Sequence, residues 1–504
     1  MTKYLYGAAV QGIQGFIFQT NDLKDVIGAS ELVEQICTTA FSELTGEKPN
    51  IIGAAGNIKH VFDSEEACRN AVLKFPKQVM EMAPGITISQ AVVAWDEATN
   101  PFEVAIEELE KKLRTQRNRP AQSMTLGLIG TKRAPKTGLP AVACGKEVEL
   151  IDAATVRKRA AQDRVQLCQK CFGNRVDDKR FAFDIKDITG HNDWIAIIHA
   201  DGNGLGQVVQ QVGKDKEKFS EFSKKLDQAT CAAAQEAFLK VVDSDDVNRV
   251  IPLRPVVLGG DDLTVIIRAD LAVLYAREFM CAFEQHTREL LGDLLKEYKV
   301  FQGEDHLSAC AGIAFIKSSF PFHYGYHLAE ALCDRAKKDA KSEAIMPASG
   351  LAPSCLMFHK VQDSYIVRYD DIVRRELRPN DKASWEFGPY YLNDCAADCT
   401  QAKRWTVDEL LHNVNKLRSG SSRKNGALKN HVRRWMSLMH DSPKQAVQHL
   451  KRAHAINNDT ATLDRLTASD RQRTGDNFFR YPAYDVMSLL SIMTPIKNNK
   501  KQNR

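Results

Sequence analysis

Short, nearly unbroken apolar runs alternate along the chain with longer stretches in which apolar positions recur at helical spacing. Tyr4 to Val10 is one such run and predicts a strand. Gln11-Gly12-Ile13-Gln14-Gly15 breaks it, and Phe16-Ile17-Phe18 opens a helical stretch continued by Leu23, Ile27, Leu32, Val33 and Ile36. Residues 51–62 predict a hairpin with its turn at Ala54-Ala55-Gly56-Asn57. A helix over about 64–82, a strand over 86–95 and a charged helix over about 102–115 follow. Residues 116–140, rich in Arg, Pro, Gly and Thr, predict a linker, and 141–190 read as short-range and irregular.

The pattern then recurs. Trp194 to Ala200 has the composition of a buried strand and runs into Asp201-Gly202-Asn203-Gly204-Leu205-Gly206. After a helix over about 217–242, Pro255-Val256-Val257-Leu258 leads into Gly259-Gly260-Asp261-Asp262, and Leu263 to Ile267 leads out, a hairpin with its turn at the glycines. A long helix (270–297), a strand (308–316) and a helix (about 323–341) complete this half. Both halves share one order: strand, Gly-turn, helix, hairpin, helix, strand, helix. The expected fold class is therefore α+β, with a duplicated unit and a mainly antiparallel sheet. Residues 356–504 read as mostly helical, with an aromatic-Gly-Pro segment from Trp385 to Tyr391. The divisions expected are 1–130, a small Cys-containing segment 131–190, 191–350 and a helical 351–504.

Composition narrows the class. With 504 residues, 43% hydrophobic and 26% charged, the chain is long enough for about three domains, and global disorder is excluded. No stretch approaches the roughly 18 apolar residues of a membrane span, and Met1 to Tyr6 lacks signal-peptide features, so a cytoplasmic location is expected. The twelve cysteines are scattered, with Cys168 and Cys171 alone in a C-x-x-C, which argues against a disulfide framework. Net charge is only +5, but residues 401–504 carry 20 Lys+Arg against 8 Asp+Glu. A basic end on an acidic body points to nucleic acid or an acidic partner.

The chemistry concentrates at Gly259-Gly260-Asp261-Asp262. Two glycines allow a tight turn, which holds two carboxylates at the tip of a hairpin. Asp201, at the end of a strand that could lie beside it, would add a third. Such a hard-oxygen cluster suits two Mg²⁺ or Mn²⁺ ions. Gly202, Asn203 and Gly204 lead into a helix whose amides could cradle phosphate. Lys337 and Lys338 are candidates to neutralise a triphosphate.

These residues resemble a known family. The Gly259–Asp262 hairpin, the Asp201–Gly204 strand end and Ala336-Lys337 look like the nucleotidyl-cyclase palm related to GGDEF domains. Gln11 to Phe18, followed by Ile27-Gly28-Ala29-Ser30-Glu31-Leu32, resembles the first palm of the large polymerase-cyclase subunit of type III CRISPR effector complexes. Thr137 to Ala141 and Gly388-Pro389-Tyr390 fit that family too, and the resemblance spans essentially the whole chain, most strongly 4–35 and 193–340. It implies two tandem ferredoxin-like palms, a Cys-containing segment between them and a C-terminal helical domain. It further implies an enzyme that polymerises ATP into cyclic oligoadenylates when guide RNA pairs with target RNA. Asp201, Asp261 and Asp262 would be the metal ligands, Gly259 and Gly260 would shape the turn, and Lys337 would contact phosphate.

Departures from the family pattern are informative. The first half has Val10-Gln11 and Ala54-Ala55-Gly56-Asn57 where the second has carboxylates, so it would act as scaffold for a second ATP, with Asn57 and the Gly12–Gly15 turn as contacts. No His-Asp cluster precedes the first palm, so no HD-type DNase is expected; His440-Asp441 reads as a helix-end pair. The family's four-cysteine zinc site is reduced to Cys168, Cys171 and a candidate third ligand, Cys144; Ala134-Pro135-Lys136 has no cysteine. Alternatives to cyclisation are adenylylation of a small acceptor such as S-adenosylmethionine, or a silent scaffold subunit. The basic runs Arg418 to Lys424 and Arg433-Arg434 are expected to meet RNA or a neighbouring subunit.

Overall fold

The computed structural model describes residues 2–493 except 55, 97, 120–129, 146–148, 175, 190–192, 243–248, 364–367, 394–403, 420–421, 457–458 and 470–477. Ala55 of the first hairpin, the middle of the 116–140 linker and the centre of the Arg418–Lys424 run lie outside the described residues.

The first unit runs β1 (Thr2–Gln11), α1 (Ile13–Ile17), α2 (Leu23–Gln35), a π-turn into α3 (Phe41–Thr45), β2 (Ile52–Ala54), β3 (Asn57–Phe62), α4 (Glu65–Met82), β4 (Thr87–Asp96) and α5 (Phe102–Arg117). Its sheet is antiparallel in the order β2-β3-β1-β4. Local chemistry sets the helix starts: Asp22 accepts the Lys24 amide and Ser64 the Ala67 amide, each satisfying an orphan donor of the first turn. In α4, Cys68, Ala71, Phe75 and Val79 recur at helical spacing and are buried together.

Residues 141–190 are more regular than their sequence suggests. They form β5 (Ala141–Cys144), β6 (Leu150–Asp152), α6 (Ala153–Ala161), α7 (Gln166–Phe172) and α8 (Ile185–Ile188). These helices are too short to show a convincing apolar period, which is why the pattern missed them. Of these, α6 docks on α2 of the first unit, whereas α7 lies between α2 and the second unit. A Cβ on Gly28 of α2 would lie 1.8 Å from the Lys158 carbonyl oxygen, so only glycine lets α2 and α6 approach this closely. The Lys158 ammonium is buried, donating to the Phe16 carbonyl (2.6 Å) and the Gln19 side chain (3.0 Å), and burial pulls its pKa down to about 8. Buried Glu31 accepts the amides of Gln166 and Leu167 and so caps α7. The Ile27–Leu32 segment thus packs and caps the connecting helices.

The second unit runs β7 (Trp194–Gly202), α9 (Leu205–Val212), α10 (Lys216–Val241), β8 (Leu253–Gly259), β9 (Asp262–Arg268), α11 (Ala272–Glu297), β10 (Ala309–Lys317) and α12 (Phe322–Ala340). Its strands lie in the order β8-β9-β7-β10, which repeats that of the first unit. The sequence pattern ended this sheet near 316, yet β11 (Cys355–Lys360) adds to it, parallel to β10. Six residues bounded by Pro353 and Gln362 are too few to separate a strand from a buried helical turn by pattern alone.

Beyond it come α13 (Tyr369–Arg375), β12 (Ala383–Ser384), β13 (Tyr390–Tyr391), α14 (Val407–Ser419), α15 (Ser422–Asp441), α16 (Pro443–Ile456), α17 (Thr460–Thr467), β14 (Phe479–Arg480) and α18 (Ala483–Ile492). β13 closes the outer edge of β11. His440 and Asp441 end α15. The back of α12 is clamped to this region: buried Glu386 accepts both Arg335 (3.1 and 3.2 Å) and Arg480 (2.9 Å), and Asp339 accepts Tyr391 (2.8 Å) and Arg404. No helix among the described residues is long and apolar enough to cross a membrane.

Candidate metal and nucleotide site

β7 and β9 pair so that Asp201 stands directly opposite Asp262. On the other side of β9, Gly259 pairs with Asp262, which leaves Gly260 and Asp261 as a two-residue turn. Gly260 has φ +62°, a conformation that a β-carbon disfavours. The turn is braced from α10: Gly260 donates its amide to Asp227 (3.3 Å), and Thr230 donates to the Gly260 carbonyl (2.6 Å). Gly202 completes the approach, since a Cβ there would lie 2.9 Å from the Asp261 Cβ. Asp201, Asp261 and Asp262 thereby each present an oxygen within 4.8 Å of the other two. Burial first, and then the neighbouring carboxylates, push the pKa values of Asp261 and Asp262 well above the ordinary range. Three crowded hard-oxygen donors, two of which resist ionisation on their own, fit a divalent cation.

Lys337 of α12 donates to Asp201 and to the Gly202 carbonyl (3.0 Å). Lys338 faces away, lining a surface groove with Tyr324 and Arg368. Asn203 turns its side chain inward. Its side chain is buried and donates to Ser308 (3.1 Å) and Cys310 (3.3 Å), because β7 continues past Ala200 and turns Asn203 inward. Gly204, at φ +82°, starts α9; a Cβ there would meet the Phe301 ring at 2.5 Å.

A cavity of about 270 Å³ lies beside Asp201 and Asp262, between the two units. Asp201, Asp262 and Gly259 line one wall, and Gln14, Glu34 and Gly56 the other. The first unit's turn, without carboxylates, therefore faces the second unit's acidic turn. Asn57 opens β3 beside it, paired with Ala9 and Ala54. Sequence reading missed His199, Tyr326 and Glu330 on this cavity. Tyr326 accepts Gln14 (2.8 Å) and stacks on Phe18, joining the units. A signal existed: His199 is two residues before Asp201 on one strand face, and Tyr326, Glu330 and Lys337 share one face of α12.

The three candidate zinc cysteines do not form a shared site. Cys144 is exposed on β5, whereas Cys168 and Cys171 are buried on α7, with Cys171 3.7 Å from the Tyr275 hydroxyl. Among the described residues, the aspartate triad is the group of three that could share a metal. Burial pushes the Cys168 thiol up to about 12, which disfavours the thiolate a metal needs.

Two sheets of one strand order, one of them with an acidic turn, define the class: an α+β protein with palm-type sheets. Residues 194–346 match the family model described as Cas10/Cmr2, second palm domain. Residues 194–346 thus form a palm of the Cas10/Cmr2 second-palm family, set within a longer chain. No curated protein matches by sequence. Similar solved structures include the Csm1-Csm4 cassette in complex with cA4 (12% identity, TM-score 0.57), the same cassette with one ATP (13%, 0.58), and the Csm1-Csm4 subcomplex of the type III-A CRISPR-Csm interference complex (12%, 0.54). Each match covers 98% of this chain and 70% of the other.

Proposed function

We propose that this chain is the RNA-activated nucleotidyl cyclase of a type III CRISPR complex, converting ATP into a cyclic oligoadenylate messenger. The observation that carries the reading is the triad of Asp201, Asp261 and Asp262 on paired strands, opening onto a cavity between two palms. In the reaction a ribose hydroxyl of one ATP attacks the α-phosphorus of another. A new P–O bond forms, the bond to the β-phosphate oxygen breaks, and pyrophosphate leaves with that electron pair. The three aspartates would hold Mg²⁺ or Mn²⁺, which lowers the pKa of an attacking hydroxyl and neutralises phosphate charge. Lys337 offers a cation at the same edge, and the Gly56 turn and Gln14 would hold the second ATP. The similar structures in complex with cA4 and with one ATP support ligands of this class. Mass spectrometry of the assembled complex, incubated with ATP and Mg²⁺ with and without matched target RNA, tests the reading; no adenylate product in either tube would refute it. A parallel tube with S-adenosylmethionine distinguishes an adduct by its mass.

RNA contact is proposed for the α15–α16 pair. Arg433, Arg434, Lys444, Lys451 and Arg452 are exposed there, without ion-pair partners among the described residues. Arg433→Glu/Arg434→Glu should weaken RNA binding and make its salt slope shallower by about 2. Fluorescence anisotropy across a KCl series reads this, and an unchanged slope would remove RNA from this surface.

A further inference from the structure

One lysine of the connecting segment reaches both walls of the cavity. Lys170, on α7, donates to the carbonyl of Leu258 (3.4 Å), the residue before Gly259 on β8. Its ammonium also lies 2.9 Å from Glu34 on α2 and 3.8 Å from Asp227 on α10. Asp227 is the carboxylate that accepts the Gly260 amide, and Glu34 lines the opposite wall. The lysine's own backbone is anchored, since Gln235 donates to the Lys170 carbonyl (2.9 Å) and Glu31 caps its helix. Burial disfavours the charge, but Glu34 and Asp227 outweigh it and keep Lys170 a cation. Without that cation, Glu34 and Asp227 would be left as two anions near one another, and Leu258 would lose a donor.

We infer that Lys170 is a positioning residue for nucleotidyl transfer: it fixes the distance between the Glu34 wall and the turn, and so the placement of Asp261 and Asp262 against a nucleotide in the cavity. This rests on the function proposed above. It also gives the connecting segment a role at the site that does not require zinc.

The test uses the full chain in its complex, as wild type, Lys170→Met, Lys170→Arg and Asp227→Asn. Four quantities are read: kcat, KM for ATP, Mn²⁺ affinity by electron paramagnetic resonance, and melting temperature. Lys170→Met should lower kcat by about ten- to hundredfold and weaken Mn²⁺ binding by about tenfold, with KM for ATP little changed. Asp227→Asn, which keeps the side chain's shape, should show the same split in milder form. Lys170→Arg should recover most of both losses at an unchanged melting temperature. Wild-type kcat and Mn²⁺ affinity in Lys170→Met would overturn the inference. So would equal damage in the Met and Arg variants with a lowered melting temperature, which is the pattern of lost packing. A wild type that binds Mn²⁺ but makes no product would refute the functional reading instead, and the Mn²⁺ isotherms would still decide the role of Lys170.

Discussion

Replacing Asp261 and Asp262 together by Asn should lower adenylate product by at least about a thousandfold, because two of the three proposed metal ligands would be lost and with them several kcal/mol of transition-state charge stabilisation. The same variant should melt at a higher temperature than wild type when no divalent cation is present. Both carboxyls have raised pKa values in the fold, from burial first and then from neighbouring carboxylates, Asp262 and Asp201 acting on Asp261 and Asp201 on Asp262. A carboxyl raised in this way binds its proton more tightly folded than unfolded. Between the ordinary aspartate pKa of about 4 and the raised value, the folded state therefore holds more protons, and stability falls as pH rises. Wild-type protein in chelator should lose stability from about pH 4 toward neutrality, and the Asn variant should lose less. Added Mn²⁺ should stabilise the wild type alone, since a ligand that binds only the folded state shifts the equilibrium toward it. Scanning calorimetry at several pH values, with and without Mn²⁺, checks all three. A variant that still makes product would move the chemistry away from this turn.

The second large effect is expected at Gly312→Val. Gly312 lies in β10, opposite His199 of β7. A Cβ there would lie 1.9 Å from the Ala329 carbonyl oxygen and 2.5 Å from the Cys333 nitrogen, both backbone atoms of α12. Backbone of a packed helix cannot turn aside as a side chain can, so the whole of α12 must lift. Overpacking of this kind costs about 1–3 kcal/mol, and here the obstacle is rigid, so the upper end is expected. Function should suffer more than stability. Tyr326, Glu330 and Lys337 all ride on α12, and a shift of about 1 Å in a positioning element costs roughly a hundredfold in rate. Urea denaturation and the product assay read the two quantities. Wild-type stability would show that α12 does not rest on this glycine.

The acidic turn was legible because its whole logic is local. Two glycines, two aspartates and two flanking apolar runs specify a hairpin with carboxylates at its tip, and the repeated order of elements pointed to a strand beside it. The duplication was legible for the same reason, as both units place their strands in one order. What escaped is tertiary. Gln14 and Glu34 reach the cavity from a unit without carboxylates at its turn, and Tyr326 reaches it from a helix more than 60 residues beyond Asp261. The inward turn of Asn203 was not legible from Asp-Gly-Asn-Gly, because the strand runs two residues further than its apolar run and buries the side-chain amide against Ser308. Lys170 stood between Cys168 and Cys171, where attention went to sulfur rather than to the ammonium between them.

The two faces of α12 have a mechanical consequence. One face carries Lys337 to the acidic edge, and the other is gripped through Arg335, Glu386 and Arg480, and through Asp339, Tyr391 and Arg404. A helix held on both sides behaves as a rigid axle. A load on the C-terminal segments that grip it would reach the cavity through α12, moving Lys337 together with Tyr326 and Glu330.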